Sequence, residues 1–444
     1  MIVMKFGGSS VANAERIRHV AGIVKSQTAE KPVLVLSAMG DTTDHLLAAA
    51  ELALTDGKVS VGAIEELHRN TLRDLGLEDP GEVEPLLAEL SSLLTGISLI
   101  KELSGKTKDY LVSFGERLSV RIAAAYLNSI GVKARAMDAW DAGFLSDANF
   151  TAAEIDPESW DRIPKALTPL LEQGVLPVVT GFIAKNRQGN ITTLGRGGSD
   201  LSATMIAAAM QAAEVQVWKD VDGILTADPR LVKAAKPVET VTYEEAAELA
   251  YFGAQVLHPR AMQPCIRTGT TVRVKNSYNP GAPGTRIIGT PEKKAGPVRA
   301  ITSRKNVTLV DIVSTRMLGQ YGFLAEVFAA FAAHKLSVDM VASSEVSISL
   351  TLDAVHDLGK LKKDLSRIAD VEIKAGKAIV TIIGDVRRSS EILQRAFAVC
   401  VLLGLQVQMV SQGASKVNIS FIVDDIQAGE VVTALHRCFF EPLE

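Results

Sequence analysis

Short apolar runs alternate with longer segments of helical period along the first two-thirds of the chain. Val33 to Ser37 precedes Leu46 to Leu54, and Val175 to Phe182 precedes Leu201 to Met210. Brief buried strands separated by helices predict a layered α/β domain over residues 1–290. Between Ser60 and Lys108 the period is helical and the composition polar, which predicts an inserted helical lobe. Proline and glycine concentrate in the stretch from Tyr278-Asn279-Pro280-Gly281 through to Pro297, so no continuous secondary structure is expected there, and the domain boundary is placed in that stretch.

Beyond it the pattern repeats. Val307 to Val313 reads as a strand, Gly322 to His334 as a helix with Leu324, Val327, Phe328 and Phe331 on one face, and Leu336 to Val341 as the next strand. Ala378 to Ile383, a helix bearing Leu393, Ala396, Phe397 and Cys400, and Leu405 to Val410 follow the same plan. Each copy ends on a fourth element, Ile348 to Asp353 and Ile419 to Asp424. Two small βαββ modules, residues 298–376 and 377–444, are therefore expected after the main domain. Each buries too little surface alone, so pairing between the copies, or between chains, is expected.

A length of 444 residues suggests about three domains, and an apolar share of 47% is enough to fill them. The net charge of -4 offers no basic field for nucleic acid or an anionic membrane, which leaves small-molecule work. Cys265, Cys400 and Cys438 are too few and too scattered for a disulfide framework, and no Cys/His cluster has zinc-ligand spacing. The first residues read as a strand rather than a leader, and no unbroken apolar stretch suffices to cross a bilayer. A soluble cytoplasmic protein is expected.

Candidate chemistry sits in four places. Lys5-Phe6-Gly7-Gly8-Ser9-Ser10-Val11 ends an apolar strand in a lysine and a Gly-Gly turn, where backbone amides can meet phosphate oxygens. The plain alternative, an ordinary turn, accounts for the glycines but not for a lysine in an apolar strand. Ile191 to Asp200 sets Arg196, Ser199, Asp200 and three glycines in one turn able to hold a small zwitterionic acid against a phosphate, with Ser199 or Asp200 capping a helix from Leu201 as the structural alternative. Ser113 to Ser119 places Glu116 either at a helix start, favoured by the macrodipole, or against a substrate ammonium. Val217 to Arg230 is rich in charge, with Asp222-Gly223 and Asp228-Pro229 fixing turns that leave Lys219 and Arg230 to flank a nucleotide. Ser104-Gly105-Lys106-Thr107 lacks the first glycine of a phosphate loop and reads as a solvated loop, and His258 reads as structural. No general base is evident. Phosphoryl transfer to a carboxylate needs none, because that nucleophile is already ionised.

Taken in order, Lys5 to Val11, Ser113-Phe114-Gly115-Glu116, Thr193 to Asp200, Lys219-Asp220-Val221-Asp222-Gly223 and Phe252-Gly253-Ala254-Gln255-Val256-Leu257-His258-Pro259 closely resemble the aspartokinase family, over essentially the whole chain. The resemblance implies an amino-acid-kinase, carbamate-kinase-like three-layer α/β domain followed by two ferredoxin-like βαββαβ ACT modules. It implies transfer of the ATP γ-phosphoryl group to the side-chain carboxylate of L-aspartate, giving 4-phospho-L-aspartate, with Mg2+ arriving on ATP and no protein metal cage.

Carried over residue by residue, Lys5 would stabilise the transferring group, with Gly7, Gly8 and Ser9 cradling it and Asp200 orienting Lys5. Arg196 would hold a substrate carboxylate, Glu116 the ammonium, and Thr43, Gly197, Gly198 and Ser199 the rest. Lys219, Asp220, Leu225, Arg230, Gln255 and Val256 would line the ATP site. Gln255 stands where many bacterial members have lysine, and Leu225 where some have tyrosine.

In the first module Met317, Gln320, Gly322, Phe323, Leu324, Val338, Asp339, Ser344 and Glu345 look like the effector site of the lysine-inhibited branch, whereas the second module would serve assembly. A homodimer through the ACT modules, able to pair further into a tetramer, is expected. A chain ending at Glu444 leaves no room for the fused dehydrogenase of some relatives. The rival readings are a kinase of the same superfamily acting on another acid such as glutamate, and a non-catalytic amino-acid sensor.

Overall fold

The computed structural model describes residues 1–78, 81–252, 257–290, 296–317, 321–353, 357–413 and 415–441. They fall into two compact units. The first comprises Met1–Ile224, Glu239–Tyr243 and Leu257–Pro291, and the second Leu225–Val238, Glu244–Val256 and Glu292–Glu444.

In the first unit the strands are β1 (Ile2–Phe6), β2 (Val33–Leu36), β3 (Ala134–Met137), β4 (Leu176–Thr180), β5 (Ile183–Lys185), β6 (Ile191–Thr193), β7 (Glu214–Lys219), β8 (Thr240–Thr242), β9 (Thr271–Asn276) and β10 (Thr285–Ile288). Eight of them form one sheet in the order β3-β4-β2-β1-β7-β9-β10-β8, while β5 and β6 pair as a hairpin. The sheet is parallel except where β10 meets β9. Helices α1 (Ala14–Ser26), α2 (Thr42–Asp56), α3 (Gly62–Leu75), α4 (Val83–Ile100), α5 (Gly105–Ser129), α6 (Ser159–Glu172), α7 (Gly198–Ala209), most of the short α8 (Tyr243–Tyr251) excepted, and α9 (Pro259–Thr268) complete it. A parallel sheet covered on both faces explains why β1 is buried along its whole length, Lys5 included.

Several sequence expectations are corrected. Glu116 lies inside α5 rather than at a helix start, and Ser104-Gly105-Lys106-Thr107 is no loop: Ser104 caps α5 by accepting from the Thr107 N–H. Strand β10 interrupts the Pro/Gly-rich stretch, because Ile287 is fully buried and pairs with both neighbours. The helical lobe is present as α3 and α4. Helix α4 is, by length and composition, apolar enough to cross a membrane, contrary to expectation. Its stripe of Val83, Leu86, Leu87, Leu90, Leu94 and Ile97 packs into the core shared with α1, α2 and α5.

The second unit carries β11 (Val298–Val313), α10 (Phe323–Ala333), β12 (Val341–Ser343), β13 (Ser347–Asp353), α11 (Gly359–Leu365), β14 (Asp370–Gly384), α12 (Ser389–Leu402), β15 (Met409–Ser411), β16 (Asn418–Asp424) and α13 (Ala428–Phe440). One antiparallel sheet, β12-β13-β11-β14-β16-β15, serves both repeats. Strand β11 is far longer than the repeat pattern shows. Its later half pairs with β13, whereas Val298 and Ile301 join Val380, Ile419 and Phe421 in the core of the second repeat. The strands expected at 336–341 and 405–410 shrink to Val341–Ser343 and Met409–Ser411. Leu336–Met340 is held by isolated bonds, Asp339 N–H to Thr351 and Thr351 N–H to Met340, rather than by a ladder. Each repeat also gains a closing helix, α11 or α13, beyond the four elements of the repeat pattern.

Candidate active site

The strand order reverses around β1, with β2 on one side and β7 on the other, which is where ligands gather at the carboxyl edge of an α/β sheet. Lys5 sits at that edge. Its ammonium lies 2.7 Å from the Asp200 carboxylate, with side-chain exposures of 10% and 11%. Burial opposes ionisation of Asp200, but Lys5 and Lys219 outweigh it and hold the carboxyl below the ordinary carboxylate range. Burial also holds the Lys219 ammonium, at the end of β7, below its usual range. Asp220 beside it is exposed.

Gly7 caps a short 3-10 turn, Gly8–Val11, where Ser9 is exposed and Gly8 approaches so closely that a Cβ there would lie 2.9 Å from the Ala38 carbonyl oxygen. The turn after β2 closes on it through the Gly40 N–H to the Gly8 carbonyl, and half-buried Thr43 follows in the first turn of α2. This cradle of backbone groups beside a lysine suits phosphate oxygens.

Glu116 approaches from α5. One oxygen, Oε1, accepts from the Ala38 N–H at 3.1 Å, while Oε2 is buried with no hydrogen-bond partner. Burial pushes this carboxyl up to about 8. A cation brought to Oε2 would satisfy the orphaned oxygen and restore its charge.

Opposite, the turn after β6 runs through Gly195 and Gly197, both at φ +72°, into α7. Gly197 is the N-cap of α7 and no side chain caps that helix, so Ser199 and Asp200 lie in its first turn rather than capping a helix from Leu201. A Cβ on Gly197 would lie 2.8 Å from the His258 Cβ, and one on Gly198 2.8 Å from the Phe182 ring. Arg196 is exposed and makes no ion pair among the described residues. His258 is structural: its Nδ1 accepts from the Arg260 N–H and caps α9.

The structure thus gathers Lys5, Gly7, Gly8, Ser9, Thr43, Glu116, Arg196 to Asp200, Lys219 and Asp220 in the first unit. Leu225 and Arg230 fold with the second unit, where Arg230 is spent on a forked pair with Asp228. Gln255, Val256 and Gln320 lie outside the described residues. In the second unit Gly322 is the N-cap of α10, Phe323 is buried, Leu324 is partly exposed, Met317 and Val338 are half-buried, and Ser344 and Glu345 are exposed. Asp339, expected to meet an effector ammonium, already accepts from the Tyr251 hydroxyl and lies 3.3 Å from Arg304. Sequence reasoning missed Asp109 and Arg260. The signal for Asp109 was its spacing of seven from Glu116, which puts both carboxylates on one face of α5. Among the described residues no group of three or more His, Cys, Asp or Glu could hold a metal.

Comparison with known proteins agrees. The Amino acid kinase family model matches residues 1–276, and an ACT domain model matches 310–356 and 380–439. Aspartokinase 1, chloroplastic, of Arabidopsis thaliana is 51% identical over 456 residues, covering 99% of this chain and 80% of that protein. Lysine-sensitive aspartokinase 3 of Escherichia coli is 36% identical over 463 residues and 99% of both chains. The structure of E. coli aspartokinase III in complex with aspartate and ADP superposes with a TM-score of 0.81 at 35% identity, covering 99% of this chain and 100% of that one. The same enzyme in complex with lysine and aspartate gives 0.84 at 36%, with the same coverage. With a kinase-family match over residues 1–276, an ACT match after it and a relative half identical along nearly the full chain, this chain belongs to the aspartokinase family.

Proposed function

We propose that the chain phosphorylates the side-chain carboxylate of L-aspartate with ATP and that lysine restrains it. The observation that carries this reading is the buried Lys5–Asp200 pair in a first unit that also holds Glu116, whose Oε2 has no partner. In this scheme an oxygen of the substrate carboxylate attacks the γ-phosphorus, an O–P bond forms, the bond to the β-bridging oxygen breaks, and ADP leaves with that electron pair. Lys5 and the amides of Gly7 and Gly8 offset the charge that the transferring group carries, and Asp200 keeps Lys5 aimed. Glu116 takes the ammonium of aspartate, Arg196 a carboxylate, and Thr43, Gly197, Gly198 and Ser199 close around the backbone of the amino acid. Ser9, Lys219 and Asp220 lie on the nucleotide side.

Mg2+ is assigned to the nucleotide. The donor set fits a metal held by phosphate oxygens and water, since Asp200 is engaged with Lys5 and no carboxylate cluster converges among the described residues. When bound it screens phosphate charge from the incoming carboxylate.

E. coli aspartokinase III is known in complex with lysine, and this chain carries the same two-module architecture. Lysine at the first module, with Glu345 and Asp339 as ammonium ligands, would favour a low-turnover state of the enzyme. We assign the enzyme to a soluble compartment and a homodimer built through the ACT modules. The test is turnover of magnesium-ATP with aspartate, trapping the acyl phosphate as a hydroxamate, alongside glutamate and N-acetylglutamate, each with and without lysine. Aspartate-specific product suppressed by lysine is expected. Product with another acid would overturn the pocket assignment, and lysine binding without turnover would favour a sensor.

A further inference from the structure

We infer that Asp109 and Arg260 are positioning residues for the turn that carries Arg196, gripping it from opposite chemical ends. Asp109 Oδ2 accepts from the backbone N–H groups of Thr151 at 2.8 Å and Thr193 at 2.9 Å, and its Oδ1 accepts from the Thr193 hydroxyl at 2.8 Å. Arg260, on α9, donates from Nη1 to the Leu194 carbonyl at 3.1 Å and from Nη2 to the Ala153 carbonyl at 2.8 Å. Between these two grips the Ala153 N–H donates to the Thr193 carbonyl at 2.8 Å. Residues 151–153 and 193–194 are thereby locked together, and the next residues along the chain are Gly195 and Arg196.

Asp109 is 1% exposed and has no cation within ion-pair distance among the described residues. A carboxylate buried in that way destabilises a fold unless its lone pairs are filled, and the donors that fill them come from Thr193, on the segment that leads to Arg196, and from Thr151, on the segment locked to it. The same helix presents Glu116 two turns further on, about 10.5 Å along its axis. A single rigid element thus anchors both ends of the substrate grip: directly for the ammonium through Glu116, and at one remove for the carboxylate through Asp109, Thr193 and Arg196. Neither Asp109 nor Arg260 needs to touch substrate.

The inference rests on the assignment of Arg196 to a substrate carboxylate, so Arg196→Lys is measured beside the positioning variants in the full-length enzyme. Asp109→Ala is expected to raise the KM for aspartate about tenfold or more while the KM for ATP stays within about twofold. Asp109→Asn should return the aspartate KM to within about threefold of the parent, because its carbonyl oxygen can take both amides and its NH2 can donate to a rotated Thr193 hydroxyl. Arg260→Lys, which reaches one carbonyl instead of two, should fall between them. If Arg196→Lys leaves the aspartate KM unchanged, the substrate assignment fails and the inference with it. If Arg196→Lys raises that KM but Asp109→Ala and Arg260→Lys do not, or if they raise both KM values together, the positioning role alone is overturned. Should Asp109→Ala fail to fold, Arg260→Lys decides by the same criterion.

Discussion

Lys5 and Asp200 meet at 2.7 Å with nine-tenths of each side chain out of water. Two charges so placed act as one unit, because removing either strands the other in a medium that solvates it poorly. Lys5→Met should lower kcat by about a thousandfold and Asp200→Asn by about a hundredfold. The double variant should be no worse than Lys5→Met alone. Steady-state turnover of the four enzymes closes this cycle, and multiplicative losses would show that the two residues act separately.

Glu116 gives a pH signature. Its carboxyl is raised by burial to about 8 from the ordinary value of 4.5, so near neutral pH the folded, ligand-free protein holds a proton that the unfolded chain has lost. Stability conferred by that proton is fully present below about 4.5 and declines as pH rises toward 8. Glu116→Gln should flatten this component of a thermal-melt profile. Ammonium binding should expel the proton, so calorimetry near pH 7 in buffers of different ionisation enthalpy is expected to report close to one proton released per aspartate bound. Zero release would mean that Glu116 does not receive the ammonium.

Gly197→Ala tests the turn itself. With φ at +72° and His258 2.8 Å from the added Cβ, the substitution combines backbone strain with a clash. A loss of about 1–3 kcal/mol in stability is expected, together with a raised KM for aspartate. Denaturant titration and kinetics on one preparation read both.

At the first ACT module Glu345→Ala should keep turnover and lose lysine inhibition, with half-inhibition shifted about tenfold or more by the loss of one charge-assisted contact. Tyr251→Phe should act in the opposite direction. It removes the hydroxyl that now occupies Asp339, leaving that carboxylate more available to an ammonium group. Tighter inhibition by lysine at unchanged kcat is the expected result, and unchanged inhibition in both variants would place lysine elsewhere.

The candidate residues Lys5 and Arg196 were legible because their chemistry is local: a lysine closing an apolar strand, or an arginine among glycines, is visible without a fold. Asp109 and Arg260 were not, since their work is to bond backbone groups of segments distant in sequence; the spacing of seven places Asp109 on the Glu116 face of α5, but neither residue type advertises which backbone groups it will meet. Glu116 was singled out but given an alternative at a helix start, because α5 begins eleven positions earlier at Gly105, inside the Ser104-Gly105-Lys106-Thr107 run that reads as a solvated loop. The strands expected at 336–341 and 405–410 failed for a related reason. Alternation announces an extended chain but not whether a neighbour is present to complete a ladder.

Strand β11 and the segment 225–238 carry one more implication, for modularity. The second repeat draws the strand section holding Val298 and Ile301 from a place in the chain ahead of the first repeat, and Ala227 and Val232, from still earlier, pack in that same core. The regulatory part is therefore not a cassette that can be cut at a linker and transplanted. A graft beginning at residue 298 would leave behind side chains its own interior requires, and a fragment ending after the first repeat would expose a strand edge made for the second. Recombination between relatives should succeed only where its crossover keeps 225–238 with the ACT modules it supports.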